Sequence, residues 1–156
     1  MSESPDFRQR LAGRLPGLSR VTARLARVPV DPAALIMRIG MAIVFWRSGM
    51  TKIASWSSTL LLFKNEYRVP FLPAELAAYL ATGVELAAPI MLVLGAGTRL
   101  AALAMLAMAL VIQLFVYPKH YPDHLLWIGI LLYLFARGPG AYSLDHLLRL
   151  RLLGAR

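Results

Sequence analysis

The sequence predicts an all-α fold: a transmembrane four-helix bundle with basic amphipathic N- and C-terminal segments on the cytoplasmic side. Three observations carry that prediction. Of the 156 residues, 58% are hydrophobic and only 16% charged, against roughly 45–50% and 25% in soluble chains. The apolar residues fall into four blocks, with most of the charge pushed between them. The blocks are continuous rather than alternating, which excludes barrel strands, and hydrocarbon admits only helices or closed barrels. With no cysteine, the chain forms no disulfide and performs no thiol chemistry. The composition also excludes a disordered chain and an ordinary DNA-binding module; despite the net charge of +9, no nucleic-acid partner is expected.

Residues 1–31 form a basic tail, in which Leu11, Leu15, Leu18, Thr22 and Leu25 recur at steps of three or four among six arginines. This predicts a helix lying on the anionic inner leaflet, broken near Pro16-Gly17. The scattered arginines and the lack of an apolar stretch before a small-residue cleavage site argue against a secretory signal.

The four-helix domain covers 32–141, with spans predicted at 32–54, 74–95, 98–118 and 122–137. The first three meet the roughly 20 residues needed to cross about 30 Å of hydrocarbon. The fourth is short: Asp123 to Arg137 gives about 22 Å of helix, which draws His120 to His124 toward the apolar boundary. After Gly138-Pro139-Gly140 comes a basic segment, 142–156. There Ser143 can cap a short helix with Leu144, Leu147 and Leu148 on one face.

Eleven basic residues lie on the side of the termini and four on the other. Excess Lys and Arg marks the cytoplasmic face, so the chain is predicted to be a multi-pass protein of the bacterial inner membrane with both termini in the cytoplasm. Trp56, Tyr67, Tyr117, Tyr121 and Trp127 mark the outer boundary.

Charges inside the spans are the candidate functional groups. Arg47 lies about 10 Å below the outer end of span one, and Glu85 about 15 Å below the outer start of span two. An unpaired charge at such depth costs roughly 2.5–3.5 kcal/mol on insertion scales, so Arg47 is predicted to pair with Glu85. Gln113 reaches the same layer and Lys52 borders it, giving a polar pocket open to the outside. Pro89 frees the Glu85 carbonyl from its helical bond and predicts a kink. Ala78, Ala81, Thr82 and Ala88, with Gly40 opposite, allow close helix approach. Three readings remain open: a pair that fixes helix register and binds nothing, a site for a polar head group such as a quinone ring, or a proton path. Arg38 is expected to snorkel to the inner boundary, and Glu75 to be stabilised by its helix start.

His120, Asp123 and His124 supply donor types suited to zinc, copper or iron. Pro122 makes this stretch a turn and helix start, so a cap at Asp123, an interfacial anchor and a contribution to the outer pocket compete with metal binding. Met37 with Met41, and Met105 with Met108, are either Cu(I) ligands or core filler. A haem lacks facing histidines, and no nucleotide-binding, serine-hydrolase or metalloprotease motif is present. No catalytic residue is assigned.

Several stretches resemble the DoxX family of small four-span bacterial membrane proteins. They are Arg38-Ile39-Gly40 with Phe45, Gly49 and Lys52; Val69-Pro70 and Leu72-Pro73; Glu85 followed by Leu94-Gly95-Ala96-Gly97-Thr98-Arg99-Leu100-Ala101-Ala102; and Gly138-Pro139-Gly140-Ala141-Tyr142-Ser143-Leu144-Asp145. The resemblance spans about residues 34–148. It implies a membrane subunit linked to quinone-reducing sulfur oxidation, redox or detoxification partners. Members similar from Gln113 to Trp127 imply an association with metal or peptide-natural-product stress responses and a copper-linked role.

The favoured reading is a non-catalytic membrane subunit or anchor for a redox or metal-handling protein partner, surrounded by membrane lipids. The alternatives are a quinone-linked oxidoreductase component and a small solute or metal transporter, the last requiring a homo-oligomer.

Overall fold

A computed structural model describes residues 29–154; the predicted amphipathic helix of the basic N-terminal tail lies outside these. Among them the regular elements are all helical: α1 (Asp31–Ala54), α2 (Trp56–Leu62), α3 (Ala74–Leu94), α4 (Thr98–Val111), α5 (Tyr121–Arg137) and α6 (Leu144–Gly154). Two of them end in a π-helical turn, α2 through Phe63–Tyr67 and α4 through Ile112–Val116. The segment α2 to Tyr67, for which the sequence predicts no element, is thus helical and fills most of the connection between the first two long helices.

Helix α1, helix α3 and the continuous stretch Thr98–Val116 are long and apolar enough to cross a membrane, so the chain is a multi-pass membrane protein. Helix α5 has 17 residues, about 25 Å at 1.5 Å each. It packs along α4 and returns to α1, while α3 packs on both α1 and α4, closing a four-helix bundle. The core is built from Met41, Phe45, Leu92, Met105, Leu131 and Leu134, all at most 3% exposed. Met41 and Met105 are core packing in this cluster, as flexible thioethers commonly are.

Small residues set the helix spacing. Ala78, Ala88, Ala101, Ala102 and Ala109 are buried at the contacts, where a bare methyl lets backbones approach. The tightest approach is at Gly49, where an added Cβ would sit 2.8 Å from a terminal methyl of Leu86 and 3.1 Å from the Glu85 Cβ. Gly40 faces open space instead, which corrects the expectation that it admits a neighbour. Helix α3 continues through Pro89 without a break.

The end of the bundle that carries Gly95 and Gly138, called here the glycine end, is tied by side chains bound to backbone. Arg38 is only 1% exposed and does not snorkel. Its guanidinium donates to four carbonyls: Leu92 at 2.7 Å, Val93 at 2.8 Å, Pro139 at 3.0 Å and Tyr142 at 2.7 Å. Those carbonyls come from the end of α3 and from the segment after α5, so one fork of donors joins three parts of the chain. Asp145 accepts from the amides of Gly97 and Thr98 at 2.8 and 3.1 Å, placing a carboxylate on the exposed amides that begin α4. Asp31 accepts from the amide of Ala141 at 2.8 Å. Ser143 caps α6 by accepting from the amide of His146 at 3.2 Å. Gly95 adopts φ +66°, and a Cβ there would meet the side chains of Ser143 and Arg38, so the left-handed turn and the packing both demand glycine.

Candidate ligand pocket

The opposite end of the bundle, the histidine end, holds a cavity of about 390 Å³, within the range of small-molecule sites. Its walls are mostly apolar or aromatic and come from α1, the π turn after α2 and the loop that follows it, α3, α4 with its π turn, and α5. Val44, Leu72 and Leu80 line it while remaining 36%, 41% and 53% exposed. The cavity therefore reaches the flank of the bundle, the surface that faces lipid.

Its charged floor is built by one face of α1. Phe45, Ser48 and Lys52 follow at steps of three and four, the spacing that stacks side chains on one helix face, and all three line the cavity. Glu85 of α3, 3% exposed, meets them. Lys52 Nζ lies 2.8 Å from Glu85 Oε1 and 3.0 Å from Ser48 Oγ, and the Ser48 hydroxyl donates to the same Glu85 oxygen at 3.0 Å. Gly49 is what lets α1 come close enough for these contacts. The second carboxylate oxygen, Glu85 Oε2, is buried without a hydrogen-bond partner.

The predicted partner is thus corrected. Glu85 pairs with Lys52, not Arg47. Arg47 and Ser48 are consecutive, which turns their side chains about 100° apart around the helix. That rotation puts Arg47 on the exposed side, in a second groove with Trp46, Pro89, Ile90 and Val93. Lys52 lies farther along α1, but its four-carbon stem reaches back to the carboxylate.

The aromatic wall links the floor to the end of the bundle. Trp127 packs edge-on against Phe45 with centroids 6.0 Å apart and lies 5.0 Å from the His124 ring. Tyr67 stands edge-on to Tyr117 at 5.8 Å. The Tyr117 hydroxyl donates to Glu66 at 2.7 Å, and its pKa is raised, first by burial and then by this bond to a carboxylate.

Gln113, predicted in the Glu85 layer, is used differently. Its Nε2 donates to the Pro118 carbonyl at 2.9 Å, which leaves its Oε1 facing His124 Nδ1 at 2.8 Å. An amide oxygen can only accept, so Nδ1 carries the proton and the neutral ring keeps its lone pair on Nε2. His124 is 4% exposed and lines the cavity; Gln113 stands behind it and positions it.

His120, Asp123 and His124 do not converge. No group of three His, Cys, Asp or Glu residues able to hold a metal comes together among the described residues, and the two imidazole rings are 6.4 Å apart and tilted by 42°. His120 and Asp123 are exposed while His124 turns inward, and His124 Nδ1 is already engaged by Gln113. Asp123 lies in the first turn of α5. The sequence reading missed Ser48 and the aromatic residues Phe45, Phe63 and Tyr117. The 45-48-52 spacing was the available signal for the first two groups on α1; nothing local marks Phe63.

A helical membrane protein with a lipid-accessible pocket around one buried ion pair is the class that fold and site define. The DoxX family model matches residues 33–118, more than half of the chain, and the protein belongs to the DoxX family. A Haemophilus influenzae protein described as uncharacterized is 30% identical over 130 residues, covering 74% of this chain and 82% of the relative. No solved structure matches. The family match includes Ser48, Lys52, Glu85 and Gln113 and stops short of His124.

Proposed function

We propose that the protein is a ligand-binding subunit of the bacterial inner membrane, taking a small lipid-soluble molecule with one polar end from the outer leaflet and presenting it to a redox partner. The observation that carries this reading is the cavity itself: apolar walls that reach the lipid-facing flank, and a Lys52–Glu85–Ser48 cluster at the floor. A few placed polar groups in an apolar cleft are what orient a small ligand. A quinone ring fits these walls, with Lys52 as the donor that would meet a ring carbonyl; the ring would supply the electron chemistry. In this reading the partner does the chemistry.

Orientation belongs to the same proposal. The basic excess near both termini supports a cytoplasmic glycine end, with α5 as a fourth crossing and the exposed leucines of α6 on the inner leaflet. Because the chain has no cysteine, single cysteines at Phe71 and Leu152 report the two faces cleanly. An impermeant maleimide applied to intact spheroplasts should label the first and spare the second.

The binding test is extraction of lipids from the purified full chain and from Ala81→Trp, which fills the cavity. A ring-bearing isoprenoid should be recovered near one per chain from the native protein and lost from the variant. Equal recovery from both, or none above the bulk lipid background, overturns the reading.

A further inference from the structure

The hydrogen-bonding capacity left over in the cavity is unequal, and that inequality points to the ligand's chemistry. Glu85 Oε1 already takes Lys52 and Ser48, while Oε2 takes nothing. His124 has spent its N–H on Gln113, so its free ring nitrogen can only accept. Ser48 keeps one lone pair after accepting from Lys52 and donating to Glu85. On the donor side, Lys52 has used two of its three N–H groups and keeps one. Tyr67 carries a hydroxyl that can play either part, and the Tyr117 hydroxyl is committed to Glu66. Acceptors therefore outnumber donors among the polar groups that line the cavity.

We infer that the pocket selects a ligand whose polar end donates hydrogen bonds, a phenolic or quinol-type hydroxyl, over an otherwise similar molecule that can only accept. Resting on the pocket reading above, this names the ligand's chemical class. A hydroxyl donates a hydrogen bond to Glu85 and accepts the spare Lys52 N–H, matching both sides of the inventory. A ketone or ether engages only the donors Lys52 and Tyr67 and leaves buried acceptors unpaired, which is the costly outcome for a desolvated polar group. Glu85 lines the cavity, and its carboxylate has about four acceptor sites, of which Lys52 and Ser48 take two. If the occupant is a quinone couple, the reduced form is the one held.

The test uses the full chain in nanodiscs and two redox-inert probes, para-octylphenol and its methyl ether, with retention measured against empty discs to remove simple partitioning. The phenol should be held roughly tenfold more tightly than the ether, the effect of one buried acceptor left unpaired. In Glu85→Gln, whose amide can donate to the ether, that ratio should shrink to about twofold. Equal retention of both probes, or preference for the ether, overturns the inference and leaves the pocket reading standing. Retention of neither probe removes both. An unchanged ratio in Glu85→Gln overturns the assignment to this carboxylate, and the native comparison decides the class even if that variant fails to fold.

Discussion

The two ends of the bundle treat buried charge in opposite ways. At the glycine end, Arg38 is matched by four carbonyls and Asp145 by two amides. At the histidine end, a carboxylate oxygen of comparable burial has no partner beside a 390 Å³ cavity. A fully matched charge in a low-dielectric interior fixes one arrangement, whereas a carboxylate with acceptor capacity left over can take a further donor. One end ties helix and loop backbones together, and the other encloses a cavity.

The largest expected effect tests the first half of that contrast. Arg38→Met strips donors from four carbonyls at once; charged hydrogen bonds contribute about 1.5–3 kcal/mol each, and whole domains are stable by only about 5–15 kcal/mol. The variant should fail to accumulate as a monodisperse species in detergent, with Arg38→Lys intermediate. Monodisperse Arg38→Met with an unchanged unfolding midpoint would show that the tie is ornamental.

Next comes the ion pair. Lys52→Leu leaves Glu85 without its cation and should cost about 3 kcal/mol, whereas the double change Lys52→Leu with Glu85→Leu should recover most of it, because removing both charges spares the desolvation of either. Thermal unfolding of the two singles and the double closes the cycle. Independent, additive losses would mean that the pair is not coupled.

Smaller still is the steric effect at the helix contact. Gly49→Ala puts a methyl against Leu86 and Glu85 and should cost about 1–3 kcal/mol as overpacking, while Gly40→Ala, which meets nothing, should be neutral or slightly stabilising. Equal effects would mean that α1 is not held where described.

The mildest effect is a pH dependence at the mouth. Since the Tyr117 pKa is raised above its ordinary 10.0, its folded-state stabilisation is complete below that value and is lost as pH climbs through the higher folded one. Phenolate absorbance of the native protein should therefore show a step above 10.0 that Tyr117→Phe removes.

Most of the fold was legible in the sequence because hydrocarbon imposes a single rule: long apolar runs become helices with their backbone satisfied internally. The all-α class and three membrane-long helices followed from it. The pocket was legible only as a depth. Lys52, Glu85 and Gln113 were singled out because they are polar and near one end, but depth says nothing about azimuth, so Arg47 was assigned the contact that Lys52 makes. Arg38 went unread for a different reason: its partners are carbonyls 54 to 104 positions away, which every residue possesses and no motif announces. The π turns that carry Gln113 and Tyr67 likewise have no spacing signature, though such turns gather at functional sites.

Arg38 also says something about which positions are free to vary. Its fork recognises the path of the main chain, so Leu92, Val93 and Tyr142 can exchange their side chains without touching the joint, provided the loop keeps its course. Mutational drift should therefore spare the arginine and the glycines that shape the loop while wandering through the very residues it grips. Deep mutational scanning would trace that pattern as one intolerant column surrounded by permissive ones.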